Sequence, residues 1–148
     1  MIGKPPRQPP APAITPAKPD MYRLQTAILE HTTAAGVHHD WLIEDPRLPN
    51  PHAPDTKLWT ARVTPPPHHW PGLKRFDLTV IPPHRRTYLN YQGPVSGNRG
   101  YVRRMARGVC FVTSWTERSI VLALALDKPP FNLQIQSQSD SYCVATLV

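Results

Sequence analysis

The chain has 148 residues, 40% of them hydrophobic, which is enough for one domain with a real core. Its formal net charge of +7 favours an anionic partner, most plausibly nucleic acid. The apolar run at residues 120–126 is far too short to span a membrane, so no membrane partner is expected. Cys110 and Cys143 match no metal-binding motif, and we expect buried, reduced thiols in a cytoplasmic protein.

The chain begins with a proline-rich segment. Seven of its 20 prolines fall within residues 1–20, which predicts a disordered or polyproline-II arm outside the fold. The remaining residues, 21–148, are expected to form the folded domain.

Nine short segments of alternating or β-branched residues, punctuated by proline and glycine, predict strands. They are residues 22–30, 37–43, 57–63, 76–81, 87–92, 109–115, 120–126, 131–137 and 142–148. Residues 45–55 form a proline-rich loop, and residues 64–72 are expected to form a rigid loop without any helix. Because no long helical stripe is present, the sequence predicts an all-β fold: a compact antiparallel β-barrel of short strands with proline-rich loops.

A histidine-rich stretch joins the first two predicted strands. Side chains alternate between the faces of a strand, so His38 and Asp40 point to one face and His39 points to the other. With His31 arriving from across a turn, the stretch can form a site of two imidazoles and one carboxylate, which suits Mn, Fe or Zn. The alternative is that these histidines are solvated surface residues.

Positive charge concentrates in the middle of the chain. The arginines of this cluster are Arg85, Arg86, Arg99, Arg103, Arg104 and Arg107. The guanidinium group makes paired contacts with phosphate, so the cluster is typical of a nucleic-acid interface. A generic solubilising face is the alternative. The glycine-containing turn at residues 93–100 permits close backbone approach to an anionic ligand.

Together these segments resemble the 3′-phosphoesterase domain of bacterial DNA ligase D, in its small stand-alone form. The resemblance covers roughly residues 22–107 and rests on two motifs in the right order. The matching residues are His31, His38-His39-Asp40 and Glu44, then His84, Tyr88, Tyr91-Gln92-Gly93 and the turn to Gly100.

The resemblance implies a manganese site formed by His31, His38 and Asp40, with other divalent transition metals able to replace manganese. It implies an enzyme that removes 3′-phosphates or 3′-ribonucleotides from DNA or RNA–DNA ends during end joining and repair. Ligases and polymerases of that process are the implied protein partners. His84 would donate a proton or stabilise the transition state, and Tyr88 would bind phosphate or His84. The alternatives are a capping role for His84 and ordinary strand packing for Tyr88.

The arginines Arg85, Arg99, Arg103 and Arg104 are the candidates for phosphate or nucleic-acid binding. Leu42 and Leu29 stand where the family has an arginine and a glutamine. The interval from His31 to Asp40 is longer than in the family, which predicts a bulge in the intervening turn. Two other functions stay open: a catalytically weak or inactive module that binds DNA ends, and an unrelated small metal-binding barrel.

Overall fold

The computed structural model describes residues 23–127 and 129–148. The proline-rich arm expected at residues 1–20 lies outside the described residues. The strands of the described part are β1 (Arg23–Thr33), β2 (Gly36–Glu44), β3 (Leu58–Val63), β4 (Arg75–His84), β5 (Gly93–Pro94), β6 (Tyr101–Trp115), β7 (Ser119–Ala125), β8 (Phe131–Ser137) and β9 (Tyr142–Leu147). Within this part, the helices are too short to cross a membrane.

Eight strands close into an antiparallel barrel, which confirms the predicted all-β fold. Their order is β1-β2-β3-β4-β9-β8-β7-β6, and β6 then pairs with β1. The long β6 makes this closure, running beside β1 from Phe111 opposite Arg23 to Tyr101 opposite Thr32. Closure removes the open sheet edges at which other chains could pair, and the short β5 is added to β6.

Apolar side chains from all eight barrel strands fill the interior. Aromatic rings dominate it: the ring of Trp41 lies 6.0 Å from that of Trp59 and 5.0 Å from that of Trp70. Trp41 donates its indole N–H to Thr26 Oγ1 at 2.8 Å, which satisfies this buried donor. Because Trp41 points into the core, its two neighbours on β2, Asp40 and Leu42, lie on the outer face of the strand. The packing of Trp41 thus fixes which face of β2 carries the candidate metal ligands.

Residues 64–72 differ from the expected loop. They contain a 3-10 helix, Pro67–His69, followed by α1, Trp70–Leu73. The prediction that no helix forms here is wrong, because proline is excluded from a helix interior but fits the first turn, as it does in both of these elements. The segment places Trp70 in the barrel core, where its indole N–H donates to the Pro65 carbonyl at 2.9 Å.

Residues 87–92 do not form the expected strand, and this prediction is wrong. The segment is a 3-10 helix, Arg86–Leu89, followed by irregular chain. Burial of Leu89 and the ion pair between Arg86 and Glu44 are tertiary contacts that override a short alternating pattern. Conversely, the strand expected at residues 109–115 is only the second half of β6.

A second, smaller apolar cluster lies on the outer side of β1, β2 and β3. Its buried members are Ala27, Leu29, Leu42, Leu58, Leu89 and Val102. Tyr88, Tyr91 and Val95 pack against it. The chain between β4 and β6 therefore folds over the barrel surface beside the histidines of β1 and β2.

Cys110 and Cys143 are both free and buried, as expected. Burial raises the pKa of the Cys110 thiol to about 12 and also raises the pKa of Cys143. Because the thiolate is the reactive form, we expect iodoacetamide at about pH 8.5 to modify both residues only after denaturation. Intact mass spectrometry checks this, and equal rates of Cys110 modification in native and denatured protein would contradict it.

Candidate metal centre

The hairpin of β1 and β2 brings the predicted metal ligands together. A two-residue turn joins the strands, and His31 lies directly opposite His38. The prediction of a bulge in this turn is wrong. The register between the two strands is continuous, and Gly36 closes the turn with a φ of 130°. Asp40 lies two residues beyond His38 on the same face of β2.

Three side chains converge on one point. His31 Nδ1 lies 3.5 Å from Asp40 Oδ2, and His38 Nε2 lies 3.2 Å from Asp40 Oδ1. One ligand atom from each residue lies within 4.8 Å of the others. His31 Nδ1, His38 Nε2 and Asp40 Oδ1 are buried without a hydrogen-bond partner among the described residues. Buried polar atoms are nearly always paired, so this set fits a divalent transition metal that binds imidazole and carboxylate.

The backbone orients His31 toward this point. Its Nε2–H donates to the Arg99 carbonyl at 2.7 Å, which leaves the Nδ1 lone pair free to face Asp40. Gly100 allows the close approach that this contact needs: its φ is 94°, and a Cβ there would collide with the Thr32 carbonyl. The glycine-containing turn thus packs against β1 and fixes the orientation of one ligand.

The pKa values of the other two ligands favour their metal-binding forms. At Asp40, burial raises the pKa, but His84 and the other neighbouring histidines outweigh it, so the net pKa is lowered. At His38, burial is the largest cause and lowers the pKa; Asp40 raises it and Arg62 lowers it, and the net pKa is lowered. At neutral pH the carboxylate is therefore ionised and His38 is neutral, as metal binding requires.

His39 is separated from this cluster, as the strand alternation predicts. Its side chain is only 4% exposed, and its Nδ1–H donates to the Thr64 carbonyl at 2.9 Å. His39 Nδ1 is therefore engaged in a hydrogen bond to the backbone, on the face of β2 opposite to His38 and Asp40.

His84 and Tyr88 lie beside the cluster. His84 Nδ1–H donates to the Pro82 carbonyl at 3.1 Å, so Nε2 is its free nitrogen, 3.7 Å from Asp40 Oδ2. The ring of Tyr88 lies 5.7 Å from that of His84 and packs against the small apolar cluster. His84 therefore presents a nitrogen to the centre, whereas Tyr88 both packs and faces the same space.

A cleft of about 730 Å³ opens over the centre. Its polar and charged lining consists of His31, Asp40, Arg62, His84, Arg85, Tyr88, Ser96 and Arg99. Asp40 is the single carboxylate among the described residues of this lining. With three arginines around one carboxylate, the cleft favours an anionic ligand.

The predicted arginines fall into two groups. Arg85 and Arg99 line the cleft, whereas Arg103 and Arg104 are not among its lining residues. Arg103 instead lies 3.3 Å from Glu30 in an exposed ion pair. The sequence analysis missed Arg62, which lies opposite Asp40 on β3. Only the β2–β3 register reveals this position, because a long proline-rich loop separates the two residues in sequence.

Leu42 and Leu29, at which the resemblance to the 3′-phosphoesterase domain leads one to expect polar residues, have apolar surroundings. Leu42 is fully buried in the small apolar cluster and is absent from the described cleft lining. Leu29 belongs to the same cluster and also reaches the cleft. The base of the cleft is therefore apolar on this side, and its cations come from other strands and loops.

A buried ion pair holds the segment that carries His84 and Tyr88. Glu44 is fully buried and accepts hydrogen bonds from Arg86 and from the Gln25 backbone N–H, the latter at 2.6 Å. His52 Nδ1 lies 3.0 Å from the same carboxylate. Arg86 also donates to the Pro51 carbonyl at 3.0 Å. These contacts join β1, β2, the proline-rich loop and the 3-10 helix beside the cleft.

Comparison of the chain with protein-family models and with curated proteins gives no match.

Proposed function

We propose that this protein is a metal-dependent phosphoesterase that acts on the 3′ ends of DNA or RNA, with Mn²⁺ as its metal. The observation that carries the proposal is the convergence of His31 Nδ1, His38 Nε2 and Asp40 Oδ1 beneath a cleft lined by arginines. All three atoms are buried and have no hydrogen-bond partner among the described residues. In phosphate-ester hydrolysis water attacks phosphorus and forms a new P–O bond as the bond to the leaving oxygen breaks, and a cation at these atoms would offset the negative charge that develops.

His31, His38 and Asp40 would hold the divalent ion, which would supply Lewis-acid stabilisation of negative charge on a phosphate oxygen. The residues around it perform the remaining tasks. His84, oriented by the Pro82 carbonyl, presents Nε2 to the cleft and can hold a proton for the leaving oxygen. Arg85 and Tyr88 also line the cleft, where they can bind phosphate oxygens.

Two arguments support a nucleic-acid substrate. The net charge of +7 favours a polyanion, and the exposed arginines can contact successive phosphates. The order of the His31–Asp40 and His84–Gly100 segments resembles that of the 3′-phosphoesterase family. Removal of a 3′-phosphate or a 3′-ribonucleotide is therefore the activity that we propose.

The test is incubation with Mn²⁺ and a primer–template that ends in a 3′-phosphate or a 3′-ribonucleotide. We expect the wild type to release the terminal group, and His84→Gln to lower the rate by about 100-fold or more, as expected for a lost general acid. Mn²⁺ affinity should change little in this variant, because His84 lies outside the three-ligand set. An unchanged rate in His84→Gln would contradict the assigned role.

A second candidate function is non-catalytic binding of DNA ends. Burial of Leu42 in an apolar cluster favours it, because no charged group stands at this position to stabilise a transition state. Wild-type protein that binds Mn²⁺ and DNA ends without processing either substrate would support this function and contradict the enzyme proposal.

A further inference from the structure

We propose that Arg62 binds the phosphoryl group at the metal centre, so that β3 provides the principal anion-binding side chain of the cleft. This inference rests on the proposed function and adds to it a residue and a binding position. It predicts that phosphate affinity depends on Arg62 even when metal binding does not.

The position of Arg62 follows from strand register. Arg62 lies directly opposite Asp40 in the antiparallel pairing of β2 and β3. Directly opposed residues point to the same face of a sheet with their Cβ atoms about 4.5–5.5 Å apart. Its side chain thus begins beside a metal ligand, is exposed, and lines the cleft.

The guanidinium group is available for an anion. Among the described residues, Arg62 has no hydrogen-bond or ion-pair partner of its side chain, and Asp40 is turned toward the histidines. A cation whose side chain starts beside Asp40 would repel a bound metal ion, and an anion held between the two would offset this repulsion.

The other two arginines of the cleft are less suited to this position. Arg99 is engaged with its own turn, because its Nε donates to the Ser96 carbonyl at 2.7 Å and its Nη2 to Ser96 Oγ at 3.1 Å. Arg85 follows the last residue of β4, His84, and so does not lie opposite Asp40 in the sheet. Of the three arginines, Arg62 is therefore the one whose side chain starts directly beside Asp40 in the sheet.

The experiment measures inorganic phosphate binding to the full-length, Mn²⁺-loaded protein by paramagnetic broadening of the ³¹P resonance. We expect Arg62→Gln to weaken phosphate binding about tenfold, because a charge-assisted paired contact is lost. Arg62→Lys keeps the charge but loses the planar fork, so its affinity should be intermediate. Arg118→Gln is the matched control, since Arg118 is exposed and is not part of this cleft lining.

Mn²⁺ affinity, measured by electron paramagnetic resonance without phosphate, distinguishes the outcomes. It should be equal or slightly higher in Arg62→Gln, because the substitution removes a repulsive charge. Unchanged phosphate affinity in Arg62→Gln, or a parallel loss of Mn²⁺ affinity, would overturn the inference while leaving the proposed function intact. A wild type that binds no Mn²⁺ would overturn both.

Discussion

His38→Gln is expected to lower Mn²⁺ affinity by about 100-fold or more, because even the loss of groups that only orient metal ligands lowers affinity about 10–100-fold. His39→Gln, one residue away, is expected to keep wild-type affinity. The difference arises because His38 Nε2 faces Asp40, whereas His39 Nδ1–H is bonded to the Thr64 carbonyl. Asp40→Asn should behave like His38→Gln, since it removes the anionic ligand while preserving side-chain volume.

Isothermal titration with Mn²⁺ measures these affinities, and the melting temperature of each metal-free variant shows whether it is folded. His68→Gln is a further control, because His68 is exposed and lies outside the three-ligand set. Equal affinities of His38→Gln and wild type would show that Mn²⁺ binds elsewhere. Loss of affinity in a folded His39→Gln variant would show that the wrong face of β2 has been assigned.

The convergence of the three candidate metal ligands could be predicted from sequence because their arrangement is local. Alternation along one strand separates His38 from His39, and a hairpin brings His31 back to the same face. The barrel class was also predictable, since short alternating segments punctuated by proline recur along the chain. Neither inference needs information about distant contacts.

The rest of the site depends on contacts between distant parts of the chain. Arg62 reaches the centre only through the β2–β3 register, which the sequence does not specify across the loop between them. The 3-10 helix at Arg86–Leu89 is stabilised by burial of Leu89 and by the pairing of Arg86 with Glu44, 42 positions away in sequence. Alternation within a six-residue window cannot detect such a partner, so the segment resembled a strand.

The buried pair of Glu44 and Arg86 yields the largest expected effect on stability. Glu44 is fully buried, and the Arg86 side chain is only 14% exposed. Arg86→Met should lower the free energy of unfolding by about 3–5 kcal/mol, because it leaves a buried carboxylate without its cation. The exposed pair of Arg103 and Glu30 provides the contrast: Arg103→Met should change stability by less than about 1 kcal/mol.

A double variant separates the effect of the buried charge on stability from the effect of the lost side-chain contacts. Glu44→Gln combined with Arg86→Met removes both charges, and the amide oxygen can still accept the hydrogen bond from the Gln25 N–H. It should therefore be more stable than Arg86→Met alone, with a deficit of about 1–2 kcal/mol from wild type. Urea denaturation at neutral pH measures the free energy of unfolding of all three variants.

If Arg86→Met is no less stable than Arg103→Met, the ion pair does not hold the 3-10 helix. That helix carries Tyr88 and follows His84. If Arg86→Met lowers the stability and also weakens phosphate binding, the ion pair of Glu44 and Arg86 helps to position the residues that line the cleft.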